Sequence, residues 1–272
     1  MIRARTVNLS LENKRILRDV SVDVFEREIV ALCGPNGAGK SSLLSCLAVE
    51  HRACAHNIYY DDRIASSMSS VDLSYQRVVL EQTPSISAEF TLRELIGLSA
   101  PIAISVKQLD DLVDKVIADF EFTEIQDTVV TKLSGGQRHR AHLARILVQY
   151  HANKSLGYSP IIFLDEPTAS LDIGYQIKIL KLMRSLADQG AGILVVLHDL
   201  NLAAAFANRV ILMSEGRVLH EGPPDTTLTA NILSDVYNTP IFVERAVTGQ
   251  IIIQPSLELF DSGHGASQSI VS

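Results

Sequence analysis

The sequence predicts an α/β fold: a mostly parallel sheet as the core, an antiparallel β-subdomain near the N-terminus, and an α-helical subdomain inserted midway. Three observations carry this reading. The uninterrupted apolar runs Ile29–Cys33, Ile161–Leu164 and Ile193–Leu197 are patterned as strands buried on both faces, the habit of parallel sheets. Ahead of them, Val20-Ser21-Val22-Asp23-Val24 alternates apolar and polar types, as an antiparallel strand with one wet face does. Between them, Leu109, Leu112, Val113, Val116, Ile117 and Phe120 recur at i, i+3, i+4, i+7, i+8 and i+11, one apolar face of a helix, so residues 88–150 read as a helical insertion.

Composition sets the outer bounds. A chain of 272 residues, 47% hydrophobic and 20% charged, suits one large domain or a core carrying a subdomain and excludes intrinsic disorder. Its longest apolar run, Leu202–Ala207, has six residues, whereas a spanning helix needs roughly 18. No segment is expected to cross a bilayer alone. Met1-Ile2-Arg3-Ala4-Arg5 leads into a strand-like segment without the apolar stretch of a secretory signal, so the chain is expected in the cytosol. Cys33, Cys46 and Cys54 are odd in number and form no C-x-x-C pair. They support neither a disulfide framework nor a zinc ribbon and read as small buried apolar residues. With 24 Lys+Arg against 31 Asp+Glu and no long basic run, the charge argues against a nucleic-acid partner.

The first buried run stops at Gly34, and Lys40–Leu47 follows as a helix, giving a strand, glycine loop, helix unit. Later, Val210-Ile211-Leu212-Met213 and Val218-Leu219 flank Ser214-Glu215-Gly216-Arg217 as a hairpin. A C-terminal extension begins after Pro223-Pro224, and Asp261–Ser269 has the composition of a mobile tail.

The loop Gly34-Pro35-Asn36-Gly37-Ala38-Gly39-Lys40-Ser41 matches G-x-x-x-x-G-K-[ST], which makes the parallel core a P-loop NTPase core. Glycines let successive backbone N–H groups turn inward around a phosphate, and the next helix presents its positive end. Lys40 is placed to reach the β- and γ-phosphates, and the Ser41 hydroxyl to ligate Mg²⁺. Ile161-Ile162-Phe163-Leu164-Asp165 is an apolar strand ending in a carboxylate, the form of a Walker B element, with Asp165 toward the metal's water shell. Glu166, one residue on, can orient or deprotonate an attacking water. An Asp-Glu pair by itself is more often a solvated turn.

Leu133-Ser134-Gly135-Gly136-Gln137 precedes a helical pattern and by itself reads as a serine-capped helix start. Standing between the two Walker elements, with Ser134 31 residues before Asp165, it is the signature of the ATP-binding cassette ATPases, and the chain resembles that family over nearly its whole length. The resemblance implies ATP and Mg²⁺ as cofactors. It also implies that two copies sandwich nucleotide, Ser134, Gly135, Gly136 and Gln137 of one contacting the γ-phosphate held by the other's P-loop, Ser42 included.

Further roles follow by position. Gln82, in Leu80-Glu81-Gln82, matches the Q-loop residue that senses Mg²⁺ and water and couples to the transport subunit. Ala169-Ser170-Leu171-Asp172 matches the D-loop across the dimer interface, although Asp172 serves equally as a plain helix cap. His198, after the third buried run, matches the switch histidine that holds Glu166 and water. The other histidines, His51, His56, His139, His142, His151, His220 and His264, show no metal-ligand spacing. His139 and His142 share a helical face and read as solvent-facing.

A cassette with one nucleotide domain and no spanning helix resembles the separate energising subunit of an importer. That resemblance implies a membrane permease as partner, a periplasmic substrate-binding protein as indirect partner, and a peripheral place on the cytoplasmic face of the bacterial inner membrane. Residues 1–225 are expected as the ATPase domain, 226–260 as the extension and 261–272 as the tail. The extension, from Glu221-Gly222-Pro223-Pro224-Asp225 through Ile251-Ile252-Ile253-Gln254-Pro255, resembles that of bacterial hemin importer ATPases. His198-Asp199-Leu200-Asn201-Leu202-Ala203 is shared more widely, with siderophore and cobalamin importers, which stay open as alternatives. So do a soluble iron–sulfur assembly ATPase and, against the signature segment, a simple P-loop kinase.

Two residues depart from the family pattern. His139 stands where relatives usually have Gln, outside the phosphate-contacting set, so hydrolysis is expected to survive. Leu11, nine residues before Val20, occupies the usual place of an adenine-stacking aromatic. An aliphatic side chain keeps apolar contact but loses a stacking contribution of roughly 0.5–1.5 kcal/mol. GTP is therefore expected to support hydrolysis nearly as well as ATP; a steady-state comparison of the two that returned a strict ATP preference would refute this.

Overall fold

The computed structural model describes residues 1–81, 89–169 and 171–256. The expected Q-loop residue Gln82, Ser170 and the tail 261–272 lie outside the described residues. Strands β1 (Ile2–Leu11) and β2 (Lys14–Val24) pair antiparallel. Glu12 and Asn13 join them, both at positive φ (45° and 66°), the handedness that matches the twist of a tight hairpin. Strand β3 (Ile29–Cys33) and helix α1 (Lys40–Leu47) follow, and β4 (Ile58–Tyr60) and β5 (Arg63–Ile64) complete an antiparallel sheet ordered β2-β1-β4-β5.

Helix α2 (Ser70–Gln76) leads into β6 (Arg77–Leu80). Three helices form the insertion: α3 (Leu92–Gly97), α4 (Val106–Asp119) and α5 (Gly135–Ser155). Each opens on a reciprocal cap, Thr91 with Glu94, Ser105 with Gln108, and Ser134 with Gln137, in which side chain and backbone satisfy each other's free donors. Along α4, Val113, Val116, Ile117 and Phe120 are buried and Leu109 and Leu112 half-buried, so the apolar stripe does face the core.

The chain then runs through β7 (Ile161–Asp165), α6 (Ile173–Asp188), β8 (Ile193–Val196), α7 (Leu200–Phe206), β9 (Arg209–Ser214) and β10 (Arg217–Gly222). The main sheet is ordered β10-β9-β3-β8-β7-β6; neighbours are parallel except the β9–β10 hairpin. Every residue of β3, β7 and β8 is buried, because apolar clusters cover both faces. Since these strands run the same way, their carboxyl ends meet at one edge, where ligands of open parallel sheets bind. The extension folds as α8 (Pro224–Thr227), α9 (Ala230–Tyr237) and a hairpin of β11 (Ile241–Arg245) with β12 (Ile251–Pro255). Among the described residues, no helix is long and apolar enough to cross a membrane.

Two expectations need correction. All three cysteines are buried, but Cys46 and Cys54 are joined as a disulfide linking α1 to the segment after it. A separation of eight residues gave no hint of this; the turn after α1 brings their Cα atoms to 5.6 Å. Cys33 remains free, its thiol pushed up to about 12 by burial. Nor do His139 and His142 face solvent. His139 is half-buried, and His142 is 2% exposed with Nδ1 lacking a partner.

Burial, then the nearby Arg145, His139 and Arg138, hold the His142 imidazole down to about 4. The folded chain therefore refuses a proton that the unfolded chain accepts from about pH 6.5 downward. Stability is expected to be full above that pH and to fall by on the order of 1–3 kcal/mol as pH drops toward 4. Denaturant unfolding at stepped pH checks this: His142→Leu should flatten that portion of the profile, and an unchanged slope would remove His142 as its source.

Candidate active site

The loop leaving β3 is shaped by close backbone approach. Gly34 has φ 144°, and a Cβ there would sit 2.1 Å from the carbonyl oxygen of Met213 in β9, so a side chain is excluded. Gly39, at φ 97°, caps α1 in a left-handed conformation with Leu17 and Ile16 against it. Lys40, the first residue of α1, folds back over this loop, its Nζ donating to the carbonyls of Gly34 (2.8 Å) and Pro35 (3.0 Å). Burial lowers its pKa from the ordinary lysine value, opposed by the charges of Cys33, Glu166 and Asp165. An ammonium held over inward-turned amides at a helix start is a fit for a polyphosphate anion. Asn36 and Gly37 form the exposed lip; Ala38 and Ser42 lie deeper.

Across the loop, Asp165 ends β7, buried, with the Ser41 hydroxyl close enough to favour its charged form. Its Oδ1 has no partner, and burial raises its pKa above the usual carboxylate range. A buried carboxylate oxygen without a partner costs free energy unless a cation completes it. Beside the Ser41 hydroxyl, these are hard oxygen donors suited to Mg²⁺. Glu166 follows at φ 53°, a left-handed backbone that costs a non-glycine residue roughly 1–2 kcal/mol. This strained turn aims its carboxylate at His198, just beyond β8, with Nε2 to Oε1 at 2.5 Å. Lys40, Ser41, Asp165, Glu166 and His198 thus share one edge of the sheet.

The signature residues sit elsewhere. Ser134 and Gly135 are exposed at the start of α5, Gly136 and Gln137 half-buried, and the Ser134 hydroxyl is engaged with the Gln137 N–H at 3.2 Å. Asp172 caps α6, accepting from the Tyr175 N–H at 2.9 Å. Among the described residues, no hydrogen bond or ion pair joins either group to the edge cluster. Leu11 lies exposed at the end of β1.

Sequence reasoning missed a contact beside this site. The His139 Nε2 lies 2.8 Å from the Pro167 carbonyl, tying the signature helix to the residue after Glu166. Only the usual Gln at that position, another side-chain donor, could have pointed to it.

A family model for the ABC transporter matches residues 17–169. A hemin import ATP-binding protein HmuV of Rhodococcus jostii is 37% identical over 258 residues, covering 93% of this chain and 86% of that protein. A protein of the same description from Nocardia farcinica is 39% identical, covering 89% and 83%. In structure, the dimeric ATP-binding cassette MJ0796 bound to ADP and Pi aligns with a TM-score of 0.70 and 25% identity, over 82% of this chain and 99% of that one.

Because the His139 ring can hold Pro167 only by donating, His139→Leu is expected to lower the hydrolysis rate several-fold, and His139→Gln to keep most of it. Equal rates for both variants in a steady-state phosphate-release assay would show that the contact does not matter.

Proposed function

The chain belongs to the ABC transporter family, and from that premise we propose that it is the ATP-hydrolysing subunit of a bacterial hemin importer. It works as a pair of copies beneath a separate membrane permease, on the cytoplasmic face, with cargo handed over by a periplasmic binding protein. The shared description of the curated relatives supports hemin as the cargo. The similarity to a dimeric cassette supports the pairing.

The hydrolytic part rests on one observation above all, the Glu166–His198 contact at 2.5 Å beside the unpartnered oxygen of Asp165. In this reading residues 34–42 wrap the phosphates and Lys40 neutralises their outer charge. Ser41, Asp165 and Gln82 would hold Mg²⁺, which would supply positive charge to offset what develops on the phosphates. Glu166 accepts the proton of the attacking water, and His198 keeps that carboxylate in line. The exposure of Ser134 and Gly135 supports a site finished by a second copy: the start of α5 is open to solvent, and a helix N-terminus is a place that suits an anion. By its D-loop match, Asp172 would lie at that junction. Residues 1–225 then form the ATPase domain, with 88–150 as its helical subdomain and 226–260 as the extension.

Glu166→Gln is expected to bind ATP, to hydrolyse it at a small fraction of the wild-type rate and to accumulate as a dimer on size exclusion; near-normal turnover would refute the assignment. Ser134→Arg should still bind ATP but fail to dimerise with it, and normal ATP-dependent dimerisation would reject the shared site. In the parent bacterium, deletion should abolish growth on hemin as sole iron source, and undiminished growth would remove hemin as the cargo.

A further inference from the structure

In the segment His198-Asp199-Leu200-Asn201, the last side chain has no role in the reading above. Asn201, in the first turn of α7, faces β12: its Nδ2 donates to the Ile253 carbonyl (3.1 Å) and its Oδ1 accepts from the Ile253 N–H (2.8 Å). One amide thus takes both backbone groups of one residue, on the edge of β12 that β11 does not pair, much as another strand would. The same turn of α7 is fixed from the other side. Asp199 Oδ1 accepts from the N–H groups of Asn201 (2.8 Å) and Leu202 (3.2 Å).

His198 immediately precedes this cap. Its side chain is 47% exposed, and between it and the extension lies an open cleft of about 480 Å³ lined by His198, Asn201, Tyr237, Ile253 and Gln254. The imidazole is therefore not wedged by packing on that side. What fixes it is the bond to Glu166 and the backbone that Asp199 and Asn201 hold. The extension also reaches the phosphate loop: Tyr237, at the end of α9, lies near Cys33 and the Gly34 backbone, and burial raises the pKa of its hydroxyl.

We propose that Asn201 is a positioning residue for hydrolysis: by pairing with both backbone groups of Ile253 it fastens α7 to the C-terminal hairpin and sets where His198 stands against Glu166. The extension is then part of the reaction centre's frame. This rests on the reading of Glu166 and His198 given above.

Steady-state ATP hydrolysis by the full chain tests it, comparing Asn201→Leu, His198→Ala and the double variant. Asn201→Leu is expected to lower kcat about tenfold and shift KM for ATP by less than about threefold. Its loss should vanish in the His198→Ala background, since both changes would act on one interaction. Asn201→Asp keeps the acceptor for the Ile253 N–H and loses the donor, so its kcat should fall between. Should Asn201→Leu fail to fold, the same cycle is run with Asn201→Asp. Losses that multiply in the double variant, or full kcat in a folded Asn201→Leu, overturn the inference. Wild-type turnover by His198→Ala overturns the reading of His198 and this inference with it. An inactive His198→Ala beside a fully active Asn201→Leu overturns this inference alone.

Discussion

Two opposite charges, Lys40 and Asp165, are held out of water at the carboxyl edge of one sheet, and neither is neutralised by an ion pair within the described residues. Lys40 borrows two carbonyls of its own loop, and Asp165 leaves an oxygen bare. Burial makes both charged forms costly, lowering one pKa and raising the other. The sheet tolerates this because the other positions of β3, β7 and β8 are apolar and covered on both faces. A polyphosphate with a divalent cation would offset both charges at once, which is why the arrangement suits that ligand better than a single ion of either sign.

Much of this edge could be read in the sequence because its constraints are local. Gly34 and Gly39 are demanded by backbone approach and by left-handed conformation, so their spacing survives as a recognisable string. Asp165 and Glu166 end an apolar run, and His198 follows another, so parallel strands alone bring them together. The period of residues 109–120 likewise disclosed which face of α4 meets the core.

What escaped depends on packing between distant elements. Nothing near His139 or His142 in the chain says that α5 turns both inward, one toward Pro167 and the other into the core. The approach of Cys46 to Cys54 follows from how the chain turns after α1, and Asn201 meets Ile253 across 52 residues. Periodicity assigns a face only where the apolar pattern is strong, and α5 mixes charged and apolar residues around much of its circumference.

In the proposed function the reaction centre is half of a site, with its acidic, basic and glycine parts on one surface and its serine-glycine helix start on another. Dilution exposes that division most directly. If two copies must close on nucleotide, the rate per chain should fall steeply as the purified protein is diluted at saturating ATP, and recover on reconcentration. A rate per chain that stays constant down to concentrations where light scattering finds only monomer would contradict the account.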